Sequence, residues 1–103
     1  MIAANEQQVL DWLAGQGDAM QALLAQLVNI DSGSYNKAGV DAAGEAIVAF
    51  LRQHDIACEV TPSDRFGNGI RGHVGKPGER NILLMGHRDT VFPDGEPISS
   101  SDV

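Results

Sequence analysis

The spacing of apolar residues changes once along this chain, near residue 55, and that change limits the folds open to it. Before it, Val9, Leu10 and Leu13, then Met20, Leu23, Leu24, Leu27 and Val28, recur at intervals of three and four over residues 6–30. This is the spacing of one helical face, which Gly15 and Gly17 are expected to break into two pieces. Val40, Ala43, Ile47, Val48, Phe50 and Leu51 repeat the pattern and predict a helix over about residues 38–54. After the change, Ile56, Cys58 and Val60 alternate with Ala57, Glu59 and Thr61, the period of a half-buried strand with Cys58 facing the core. Residues 69–74 predict a second strand, and residues 76–80 a turn. The continuous apolar run of residues 81–86, bounded by turn signals, predicts a third strand covered on both faces. The order helix, helix, strand, strand, strand places the chain in the α/β class.

Composition narrows the function classes. With 103 residues the chain is one domain at most, or the opening segment of a longer enzyme, and 43% hydrophobic residues allow it a core. No apolar run approaches the roughly 18 residues of a membrane span, and the first residues lack a basic segment followed by an apolar one. A cytoplasmic location without membrane association is the resulting expectation. Cys58 is the single cysteine and has no internal disulfide partner, which fits a reducing compartment. A net charge of −7 argues against a nucleic-acid partner. Most of the acidic excess precedes residue 61, in the helical half, and carries no substrate information.

Two glycine patterns invite a nucleotide reading and fail on context. Gly67, Gly69 and Gly72 spell G-x-G-x-x-G, but the residues after Gly72, HVGKPG, do not open the helix whose N-terminal amides would hold a pyrophosphate. Gly75-Lys76 is followed by Pro77 instead of the Ser or Thr of a phosphate loop. These glycines read more simply as turn and strand-edge residues.

His87-Arg88-Asp89, at the end of the third predicted strand, is the stronger candidate. Catalytic side chains of α/β proteins favour the carboxyl ends of strands. One imidazole nitrogen there can bind a metal while a carboxylate accepts the other N–H, fixing tautomer and orientation. The bare His-x-Asp pattern is cheap, since with this composition roughly one chain in four carries it by chance. Read alone, it is more simply a strand-end histidine packed or hydrogen-bonded in a loop beside an Asx-turn aspartate. His54 near a helix end, His73 in a strand and core-facing Cys58 all read as structural. Met20, Met85, Trp12 and Phe50 read as core packing, and Phe92 lies beside the candidate site.

The surrounding residues supply context. The segment ILLMGHRDTVFP at residues 82–93 resembles the first metal-binding motif of the aminoacylase and glutamate carboxypeptidase family of two-zinc metallopeptidases. LVNIDSGS at residues 27–34 is similar to the end of that family's first helix, and GVDAAGE at residues 39–45 to the start of its second. The Cys58 strand and the Gly67-Asn68-Gly69 connection follow in family order, so that residues 5–95 resemble its amino-terminal portion, closest to the glutamate carboxypeptidase branch.

The resemblance implies the opening part of a zinc-peptidase catalytic domain with an incomplete sheet, spanning residues 1–103. Residues 96–103 depart from the family pattern and are expected to be disordered. It makes His87 a ligand of one zinc and Asp89 the catalytic-site carboxylate that clamps its imidazole, with no role assigned to Arg88 or Thr90. The complete family enzyme uses two zinc ions to hydrolyse an amide, and its remaining ligands and general base have no matching motif here. The expectation is a metal-binding hydrolase fragment of carboxypeptidase or amidohydrolase type, inactive alone. Its whole form would act on a peptide or N-acyl amino acid, and a homodimer of that form is left open. The rival expectation is a non-catalytic remnant or interaction module that associates with another polypeptide. Either way, missing neighbours are expected to leave residues 82–85 or the adjacent strands under-covered.

Overall fold

Helix α1, Ala4–Ala14, begins without a side-chain cap, because Ala3 has no acceptor to offer. Glu6 supplies the other half of a capping box, its carboxylate accepting from the Ala3 N–H at 3.3 Å, and its charge favours the positive helix end. Helix α2, Gly17–Val28, follows after a break confined to Gly15 and Gln16, whose N–H groups turn back to Trp12 and Leu13. The break therefore needs only one of the two glycines, since Gly17 is already the first residue of α2. In this computed structural model, which describes residues 3–76, 78 and 80–92, the chain divides into two compact units. α1 and α2 belong to the first, and the described residues from Ile30 to Phe92 to the second. No residue of α1 or α2 is buried, and Trp12 and Met20 are about 60% exposed, against the expectation that they pack in a core. An apolar stripe is buried only when another surface covers it.

In the second unit, helix α3 spans Lys37–Gln53 and is capped at both ends. The Asn36 side chain accepts from the Gly39 N–H at 3.0 Å. At the other end Asp55 takes a left-handed conformation, φ 58°, letting its N–H reach the Arg52 carbonyl at 3.1 Å and the Ile56 N–H the Leu51 carbonyl at 2.9 Å. This is the Schellman pattern, built here without glycine.

Two strands follow, β1 at Ala57–Thr61 and β2 at Gly69–His73, paired antiparallel with Ala57 opposite His73 and Thr61 opposite Gly69. Glu59 and Arg71 face each other across the ladder, an opposite-charge pairing that favours this register. Gly69 and Gly72 of the glycine-rich pattern are both β2 residues. The hairpin packs on α3, whose Val40, Ala43, Gly44 and Val48 form the buried face. Val40, Ala43 and Val48 are the buried hydrophobic residues among those described, while Cys58 is only half-buried and Val60 is exposed. Burying one valine contributes about 1.5 kcal/mol, so this small core is matched in scale by two or three hydrogen bonds to charged groups.

The three helices and a two-stranded hairpin keep the chain an α/β mixture, but the third strand expected over residues 81–86 is not formed. Among the described residues this run joins no ladder, and Ile82, Leu83, Leu84 and Met85 are 78–90% exposed. The physical reason lies in the pattern itself. A strand apolar on both faces is held by paired neighbours and by a covering layer on each face, and among the described residues the run has neither. The under-covering expected of residues 82–85 is what the structure has. Residues 96–103 lie outside the described residues.

Candidate functional site

The chain regains regular pairing just beyond the exposed run. The Thr90 N–H donates to the Ser32 carbonyl at 2.8 Å and the Ser34 N–H to the Thr90 carbonyl at 3.0 Å, an isolated parallel bridge between Gly33 and Thr90. The buried Ser32 hydroxyl adds a bond to the Arg88 carbonyl at 3.1 Å. The turn-rich residues before α3 thus hold the His-x-Asp segment in place, across more than fifty residues of sequence.

His87 and Asp89 meet. Nδ1 of His87 lies 3.2 Å from Asp89 Oδ1 and 3.1 Å from the Asp89 carbonyl oxygen. Both partners are acceptors when the carboxylate is ionised, so in the neutral ring the proton sits on Nδ1 and Nε2 is left to present its lone pair. The His87 side chain is 86% exposed, and no hydrogen bond occupies Nε2 among the described residues. The other carboxylate oxygen, Oδ2, accepts from the Ser34 hydroxyl at 2.6 Å. That bond first, then the His87 contact, holds the Asp89 carboxyl below its ordinary pKa, against the opposing effect of partial desolvation.

Arg88 makes a separate set of bonds. Its Nε donates to the Val40 carbonyl at 2.9 Å, and a terminal guanidinium nitrogen donates to the Asn68 carbonyl. Asn68 is itself fixed by its N–H to Asp41 Oδ1 at 2.8 Å and by its side-chain oxygen, which accepts from Lys37 Nζ at 2.8 Å and the Ser63 N–H at 2.9 Å. Lys37 completes the cluster with a 2.8 Å ion pair to Asp41 Oδ2. The Lys37 bond first, then the Asn68 N–H, lowers the Asp41 pKa. Glycines make the space for this cluster. A Cβ on Gly44 would lie 2.9 Å from Arg88 Nε, and one on Gly67 2.1 Å from Val40 Cγ1.

Two clefts flank the segment. One, about 700 Å³ and open to solvent, is lined by Ser34, Tyr35, Asn36, Thr90, Val91 and Phe92. The second, about 310 Å³, places His87 and Arg88 beside Ile47, Leu51 and Ile70. Phe92, singled out for its position in the sequence, lines the first.

The donor chemistry at His87 fits zinc as far as it goes. A neutral imidazole with one nitrogen bonded to a carboxylate and the other open is how metal-ligating histidines are usually held. A zinc site takes three or four protein ligands, and no group of three or more His, Cys, Asp or Glu side chains with metal-binding geometry occurs among the described residues. His54 caps α3 and packs against Phe50 with the rings tilted by 52° and their centroids 4.6 Å apart, and His73 ends β2; neither forms a metal-binding group with His87 among the described residues.

Ser34 and the anchoring part of Arg88 are absent from the candidate residues that spacing identifies. Nothing local marks Ser34, which reads as one polar residue of a turn until the Gly33–Thr90 bridge places it beside Asp89. None of the helices over the described residues is long and apolar enough to cross a membrane.

No family model matches the chain. Carboxypeptidase G2 of Pseudomonas sp. (strain RS-16) is 37% identical over 76 residues, which cover 70% of this chain and 18% of that protein. The chain therefore spans under a fifth of the length of the carboxypeptidase it is similar to.

Proposed function

We propose that this chain is the amino-terminal metal-binding segment of a zinc-dependent hydrolase that cleaves the amide bond of a peptide or an N-acyl amino acid. The observation that carries the reading is the His87–Asp89 pair, in which Asp89 holds Nδ1 and leaves Nε2 open on an exposed ring. The similarity to a carboxypeptidase over 76 residues supports the same class. When bound, paired zinc ions lower the pKa of a water and polarise the scissile carbonyl. The part assigned to this chain is narrower. His87 supplies one nitrogen ligand, Asp89 fixes its tautomer and direction, and Arg88 anchors the segment that carries both. The general base and the remaining ligands are not among these contacts, so the chain by itself hydrolyses no amide.

Zinc titration followed by NMR tests this. The His87 ring resonances are expected to respond while those of His54 and His73 stay in place, and His87→Ala abolishes the response. An equal response at the other two histidines counts against the assignment. High-affinity binding of two metals, or amide hydrolysis by the 103-residue chain, overturns the division of labour. The exposure of Ile82 and Leu84, 90% each, favours a second reading, an interaction module that presents this run to another polypeptide. In the coding sequence, an Asp-rich motif followed by Glu-Glu beyond codon 103 favours the hydrolase, and a stop codon there favours the module.

A further inference from the structure

We infer that Ser34 is the positioning residue of the His87–Asp89 pair, its hydroxyl holding Asp89 so that the carboxylate can direct the imidazole. The inference rests on the zinc-ligand reading of His87 for its consequence, but its geometry stands independently.

The Ser34 hydroxyl has one proton and two acceptors within reach, Asp89 Oδ2 at 2.6 Å and the Thr90 carbonyl at 3.3 Å. The shorter contact is to the charged oxygen and has the length of a charge-assisted O–H bond, so the proton goes to Asp89. Ser34 is itself held, because its own N–H is committed to the Thr90 carbonyl at 3.0 Å. The Asp89 side chain is 40% exposed and has two rotatable torsions. Its two oxygens are occupied from different directions, Oδ2 by Ser34 and Oδ1 by His87. Remove the hydroxyl, and the carboxylate is left with the 3.2 Å contact to a ring that is itself exposed and the bond from its own backbone N–H. His87 then keeps just the Asp89 backbone carbonyl, 3.1 Å from Nδ1, as a fixed acceptor. Partners one step removed from a metal ligand orient it in this way, and their loss typically lowers metal affinity tenfold or more.

The test uses the 103-residue chain, metal-free at about pH 8, where an ordinary histidine is neutral. Imidazole nitrogen shifts are expected to report a His87 tautomer protonated mainly at Nδ1. Ser34→Ala should move this toward a mixture of tautomers, and Ser34→Thr, which keeps the hydroxyl, should restore it. An unchanged tautomer in Ser34→Ala overturns the proposal, because the backbone carbonyl would then suffice. Zinc alone provides the second readout, with Ser34→Ala expected to weaken the His87 response roughly tenfold. A shifted tautomer with undiminished zinc affinity also overturns it. If the wild-type chain shows no His87 response to zinc, the metal reading of His87 fails, and the tautomer comparison alone decides the role of Ser34. The wild-type chain carries one more check, which does not depend on the variants folding. Its Asp89 Hα–Hβ couplings should show a single χ1 rotamer, and rotamer averaging counts against the clamp.

Discussion

His87, Arg88 and Asp89 are adjacent in sequence and divide their contacts. His87 and Asp89 meet each other, while the Arg88 guanidinium reaches the carbonyls of Val40 and Asn68. Arg88 is thus the structural member of the triplet, and its planar fork is what serves two carbonyls at once. Arg88→Lys keeps the charge and loses the fork. It should lower the unfolding free energy by about 1.5–3 kcal/mol, the worth of a hydrogen bond to a charged group, measured by urea denaturation. A substitution without effect would show that the anchor contributes nothing. The triplet was legible as a candidate from the sequence, since its position after an apolar run and its resemblance to a metal motif both marked it. Arg88 was not legible as an anchor, because its acceptors lie 20 and 48 residues away and are backbone atoms that no side-chain pattern reveals.

At the scale of elements, α3 organises the second unit. Its N-terminus approaches the segment before it so closely that a Cβ on Gly39 would stand 1.8 Å from the Asp31 carbonyl oxygen. Its buried face carries the hairpin, and its C-terminus ends in the left-handed turn at Asp55. That turn places a β-carbon in a conformation costing roughly 1–2 kcal/mol for most residues, less for aspartate. It also sets a negative charge at the negative end of the helix. Asp55→Gly relieves both, and thermal or urea unfolding should register about 0.5–1 kcal/mol of added stability. A loss of stability would mean that the Asp55 side chain makes a contribution larger than the strain it carries. Three-to-four spacing placed α3 within a residue at each end, and strict alternation found β1. The same reasoning placed a third strand over residues 81–86, where the structure has none. Periodicity reports which faces are apolar, and a run apolar on both faces says only that it needs cover.

For the whole molecule, the exposed run of residues 82–85 is the dominant surface feature of the second unit. Four large apolar side chains in sequence, each at least 78% exposed, form a patch of the kind that drives association. The purified chain is therefore expected to self-associate with rising concentration. Leu83→Asp should shift sedimentation toward the monomer while changing stability by less than about 0.5 kcal/mol, as exposed positions usually do. A wild-type chain that stays monomeric and melts in one cooperative transition would overturn this view of the run. The sequence by itself determined the helices, the hairpin strands and the identity of the His-x-Asp triplet, because local periodicity and residue chemistry act over a few positions. The tertiary structure alone decided that Ser34 holds Asp89, that Arg88 faces α3, and that residues 82–85 stand uncovered. Those outcomes depend on contacts between segments 20 to 56 residues apart, and which segments meet is set by the folded backbone.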